Sequence, residues 1–155
     1  MKILLSIIFI FFSSYALSAG TDSGGDSTTS SDSNVDVNVE FHKAKKLIYK
    51  NRFKLALDIL KAIEEETPFG YSKADLYNYL GFASRKQNKP NYEDAEKYYL
   101  KALSYDSNHI GALEYLGELY FETDRIDLAK SMLQKLGMVA GQDSDEFKEL
   151  NNLIN

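Results

Sequence analysis

Apolar and polar residues alternate along most of this chain with the spacing of helices. Phe53, Leu57, Leu60 and Ile63 fall three and four apart, as do Tyr77, Leu80 and Ser84, then Leu113, Leu116 and Tyr120. Phe147, Leu150, Leu153 and Ile154 make a last such set. Residues at these intervals share one helix face, so each set predicts a buried stripe, Ser84 being its polar exception. A further helix is expected from about Val35 to Tyr49, with Val39, Leu47 and Ile48 among its apolar positions. The punctuation agrees with these limits. Asn51 breaks the first helix, and Pro68 and Gly70 end the second near Glu66. Ser72 with Asp75 starts the third as a capping box, and Glu93 and Asp94 fall in the first turn of the fourth. Asn108 and Asp124 are the expected caps of the next two helices, and Asp143 with Glu146 opens the last.

The stripes themselves repeat. Leu80-Gly81 recurs 36 residues later as Leu116-Gly117, and Tyr92-x-x-Ala95 recurs 34 residues later as Ile126-x-x-Ala129. The half-motif appears once more upstream, as Phe53-x-x-Ala56. Self-similarity near this period predicts a solenoid of helix pairs. Close helix crossings need small side chains, which Gly81 and Gly117 supply on one helix and Ala95 and Ala129 on the other. A glycine inside a helix costs roughly 1 kcal/mol against alanine, so two at matching places point to packing. Ala44 to Ala56 and Gly117 to Ala129 are both 12 residues, whereas Gly81 to Ala95 is 14, which lengthens the turn around Lys89-Pro90-Asn91.

At these residues the chain resembles the tetratricopeptide repeat family. The middle repeat shows Tyr77, Leu80, Gly81, Ala95, Tyr99 and Ala102, departing at Ser84 and Ser107. The next shows Leu116, Gly117, Tyr120 and Ala129, with Leu113 and Leu133 as apolar substitutes and departures at Leu136 and Gly141. The weaker first repeat shows Ala44, Ala56, Leu60, Ile63 and Pro68. The fold expected is all-α: repeats at 37–70, 74–109 and 110–142, closed by a capping helix within 143–155.

Met1 to Ala19 reads as a secretory signal. Lys2 is followed by an apolar run from Ile3 to Phe12 and a small-residue exit at Ala16-Leu17-Ser18-Ala19, with cleavage expected after Ala19. The run is short for a membrane-spanning helix with flanks. Residues 20–36 read as an acidic Ser/Asp/Gly spacer. Up to Asn34 it has no apolar residue, too little to offset the entropy of ordering. The protein is therefore expected outside the cytoplasm, in the periplasm or cell envelope. The chain has no cysteine, which rules out thiolate zinc sites and cysteine catalysis.

Candidate chemistry is sparse. His42 and His109 are the only histidines, neither has a second metal ligand at useful spacing, and His109 is expected in a solvated cap region. No glycine-rich phosphate loop, nucleophile elbow or zinc motif is present, so no cofactor, metal or catalytic activity is expected. With 18 basic against 23 acidic residues the chain is net negative, which disfavours nucleic acid.

The resemblance instead implies a concave groove that grips a protein or peptide partner. On the family's groove positions stand Phe41, Lys45 and Tyr49; Asp75, Asn78, Phe82, Arg85 and Lys86; and Glu114, Glu118, Phe121 and Glu122. The groove so read is divided, with Lys45, Arg85 and Lys86 in one half and a glutamate stripe in the other. Phe82 and Phe121 are its expected apolar anchors. The alternatives are a self-assembling subunit that stacks through its terminal repeat faces, or an accessory subunit of an envelope enzyme.

Overall fold

In the computed structural model, residues 36–155 are described and fold into seven helices: α1 (Val37–Tyr49), α2 (Phe53–Ala62), α3 (Lys73–Arg85), α4 (Tyr92–Tyr105), α5 (Ile110–Glu122), α6 (Ile126–Ala140) and α7 (Asp145–Ile154). The signal segment and the spacer up to residue 35 lie outside the described residues. The last spacer residue, Asp36, caps α1 by accepting from the N–H groups of Asn38 and Val39 at 3.1 and 3.2 Å.

Each helix packs on the next, and α1 touches α3, α3 touches α5, and α5 touches α7. This is a helical repeat solenoid: three pairs plus a closing helix.

Two of the three intra-pair turns are the same structure. Asn51 and Asp124 both sit at positive φ, 55° and 63°, where their short polar side chains are tolerated. In the first turn, Arg52 N–H bonds the Leu47 carbonyl at 2.8 Å and Asn51 N–H the Ile48 carbonyl at 2.9 Å. Arg125 and Asp124 repeat this on Tyr120 and Phe121 at 2.8 and 3.0 Å. Both are Schellman motifs, which satisfy the last carbonyls of a helix. Asp124 therefore ends α5 rather than capping α6, contrary to expectation. The same kind of one-residue shift occurs at His109, which caps α5 in place of Asn108, and at Ser144, which caps α7 in place of Asp143. The expected capping box at Ser72 and Asp75 is present.

Helix α2 ends at Ala62, short of Glu66. Past Ala62 the turns tighten to i→i−3 bonds, Glu64 N–H on Lys61 and Glu66 N–H on Ile63 at 3.3 and 3.2 Å. Pro68, without an N–H, leaves the Glu64 carbonyl lacking a helical donor. The Lys73 ammonium donates to that carbonyl instead.

The buried stripes lie where the spacing put them: Leu60, Ile63, Tyr77, Leu80, Leu113, Leu116 and Leu150 are all closed to solvent, Ser84 included. Val39 is the exception at 55% exposed, on the far side of α1 from the buried Phe41, Ala44 and Ile48. Leu153 also stays exposed.

The glycines have separate packing roles. A Cβ on Gly81 would stand 2.6 Å from the Tyr99 ring of α4. One on Gly117 would stand 2.5 Å from Leu150 of α7, and 3.3 Å from Met132 of α6. Gly81 thus opens the crossing within its pair, whereas Gly117 chiefly makes room for the closing helix.

Candidate functional site

Aligning α1, α3 and α5 on Ala44, Gly81 and Gly117 sorts the groove residues by register. Three residues before each anchor stand Phe41, Asn78 and Glu114, only 3%, 6% and 4% exposed. They belong to the seams between successive pairs, because this register turns toward the start of the next pair. Phe41 stacks on Tyr71 at 4.2 Å, just ahead of α3. Asn78 lies against Gly111 at the start of α5. Glu114 faces Glu146 and Glu149 at the start of α7. These three are corrections to the expected groove.

Asp75, one turn earlier, makes a similar link. Its carboxylate lies 3.2 Å from His109 Nε2, while His109 Nδ1 accepts from Ala112 N–H at 3.1 Å. Nδ1 is therefore the unprotonated nitrogen, and Nε2 donates to Asp75. That bond, with those from Ser72, holds the Asp75 carboxyl well below the usual carboxylate range. His109 is thus a half-buried bridge between two repeats, not a solvated residue.

Arg85 is the largest correction. It is 2% exposed and pairs across the seam with Glu118, and with Glu122 at 3.5 Å. Burial opposes its charge, but Tyr99, Glu118 and Glu122 more than offset that, and its pKa is raised. The divided groove read from sequence is therefore partly closed on itself: its central cation is shared by two of its three glutamates, which leaves one negative charge in excess. Glu114, the third, is pushed up to about 8 by burial first, and then by the charges of Glu118, Glu149 and Glu146.

What remains open is a depression of about 410 Å³ between the α1–α2 turn and the middle of α3 and α5. Ile48, Tyr49, Phe53, Tyr79, Phe82 and Tyr115 supply its walls, with Lys86 at the edge. Phe82 is its hub, 4.9 Å from Tyr115 and 6.1 Å from Phe53 between ring centroids. The Lys86 ammonium stands 5.8 Å from the Phe82 ring, and that of Lys45 5.3 Å from the Tyr79 ring. Tyr49 is 79% exposed at the rim. Burial, then Glu114 and Glu118, push the Tyr115 hydroxyl up to about 12, so it stays protonated as a donor. Phe121 is half-buried and packs with the core around Tyr99 and Leu119 instead.

Sequence reading missed Tyr79 and Tyr115, although the signal was there. The recurring unit is Tyr-Leu-Gly, not only Leu-Gly, and its tyrosines fall on the inner face 36 residues apart.

Among the described residues no group of His, Asp and Glu could hold a metal ion, and no helix is long and apolar enough to cross a membrane. No curated protein matches the chain. Residues 90–152, from the α3–α4 turn into α7, match the family model described as tetratricopeptide repeat, and repeats of this kind generally mediate protein–protein interaction. Residues 90–152 are thus of the tetratricopeptide repeat kind, and the same register and turn geometry run back through α1 to α3.

Proposed function

We propose that this protein is an exported, non-catalytic adaptor, which holds a segment of a partner protein against the inner face of α1, α3 and α5 in the periplasm or cell envelope. The observation that carries it is the aromatic depression on that face. Five rings gathered around a cleft, none of them fully buried, are what a binding hot spot needs. The absence of catalysis is supported by the use of His109, whose two ring nitrogens are engaged by Ala112 and Asp75. Export is supported by Lys2, the apolar run behind it and the Ala16 to Ala19 exit.

A photo-reactive phenylalanine at position 82, compared with one at the exposed Leu100 of α4, tests the site. Crosslinked partner should form from position 82 and be weak or missing from position 100; equal adducts at both would remove the inner face as the binding surface. N-terminal sequencing of the natural protein tests export, with Gly20 the expected first residue. An intact Met1 in a cytosolic fraction would overturn it.

A further inference from the structure

The charges around the depression say what kind of segment it takes. Lys45 and Lys86 lie over rings of its wall, and neither has an ion-pair partner among the described residues. The carboxylates on the same face are engaged elsewhere. Glu118 and Glu122 are drawn to Arg85, and Glu114 is buried in the seam with α7. The open part of the inner face therefore presents two cations around an apolar cleft.

We propose that this depression receives one aromatic or aliphatic side chain of an extended acidic segment in a partner protein, whose flanking carboxylates reach Lys45 and Lys86. The proposal rests on the reading that a partner segment lies on the inner face. Apolar contact with Phe82, Tyr79 and Tyr115 supplies the residence time, because buried anchors act on dissociation. The lysines supply approach and orientation, because exposed charges act on association and are screened by salt. A basic segment meets the two lysines at the mouth of the cleft and is repelled. The chain's own residues 20–34 match the charge through Asp22, Asp26 and Asp32 but contain no apolar side chain to fill the cleft. A partner segment with both features fits better.

The test uses the full chain and three short fluorescein-labelled peptides read by anisotropy. The first has a central Phe flanked by Asp and Glu, the second has that Phe replaced by Ala, and the third has Lys in place of the acidic flanks. The first should bind, with the Ala peptide about thirtyfold weaker or worse, the loss of one hot-spot side chain. The Lys-flanked peptide should be weaker still. Phe82→Ala should bring the Phe peptide down to the level of the Ala peptide. Lys86→Glu, at an exposed position that leaves the fold alone, should slow association of the acidic peptide, with the loss shrinking as salt rises.

Equal binding of the Phe and Ala peptides, or of acidic and Lys-flanked ones, overturns the proposal. So does failure of all three to bind. The position-82 crosslink then separates the two levels. Adducts without acidic preference leave the inner face standing as the binding surface, and no adduct removes both.

Discussion

The seam between α3 and α5 and the seam between α5 and α7 each bury one charged residue, with opposite electrostatics. In the first, a buried cation, Arg85, is met by Glu118 and Glu122 of the neighbouring helix. In the second, a buried carboxyl, Glu114, is met by further carboxyls, Glu146 and Glu149. Both groups are almost closed to solvent, at 2% and 4% exposure. A buried charge must be paired or give up its charge. Arg85 does the first, and Glu114 does the second by holding its proton. Helix packing therefore fixes where a side chain is buried, while the facing helix decides whether it can stay ionised.

The comparison breaks most visibly at Arg85. Arg85→Ala removes the cation with which Glu118 and Glu122 pair and leaves a void behind it. Breaking a buried pair costs about 3–5 kcal/mol, and the partial exposure of both glutamates puts this case near 3. Urea unfolding followed by far-UV circular dichroism at neutral pH reads it directly. An unchanged midpoint would mean that the α3–α5 seam does not depend on its ion pair.

Next in size is Gly117→Leu, which acts on the other seam through shape alone. The first added carbon already collides with Leu150, so α7 must shift or leave. The expected loss is about 2–3 kcal/mol. Amide exchange should rise first over residues 145–154. Protection there equal to that in the wild type would show that Gly117 is not the seat of the closing helix.

Glu114→Gln sharpens the contrast by having the opposite sign. The folded-state pKa, about 8, lies above the ordinary value of 4.5, so the folded protein keeps a proton that the unfolded chain gives up. The stability this lends is present below about 4.5 and is lost as pH rises toward 8. Glutamine cannot ionise. The variant should thus be more stable than wild type by about 1–2 kcal/mol at pH near 8, with the advantage gone at acid pH. Parallel curves for the two proteins across that range would place Glu114 in a hydrated environment.

These seams also mark where the sequence stops being legible. Helix stripes, the solenoid and its closing helix could be read because spacing of three and four is set by the helix itself. Tyr77, Leu80 and Leu116 needed no knowledge of their neighbours. Arg85 and Glu114 were expected in the groove because they stand on the family's groove positions. Only the arrangement of the next pair puts them inside. Asp124 was misread for a related reason: aspartate suits both an N-cap and a left-handed turn, and the backbone of Arg125 decides between them. Tyr79 and Tyr115 were visible as a recurring pair and were passed over in favour of the Leu-Gly that follows them.

The smallest effect separates two jobs held by one side chain. His109 caps α5 through Nδ1 and reaches Asp75 of the preceding pair through Nε2. His109→Ala loses both and should cost about 1 kcal/mol, the usual size of a lost N-cap. His109→Asn restores a good capping group but is too short to span the seam to Asp75. If the cap carries the stability, the asparagine variant should recover nearly all of it in urea unfolding. If the bond to Asp75 carries it, alanine and asparagine should be equally destabilised, and Asp75→Asn should cost the wild type more than it costs His109→Ala. The α3–α5 seam already has Arg85 as its main tie, so the first outcome is the expected one. The second would make the histidine a coupling element between repeats, and would place the α3–α5 seam further still from the α5–α7 seam, which among the described residues has no such bridge.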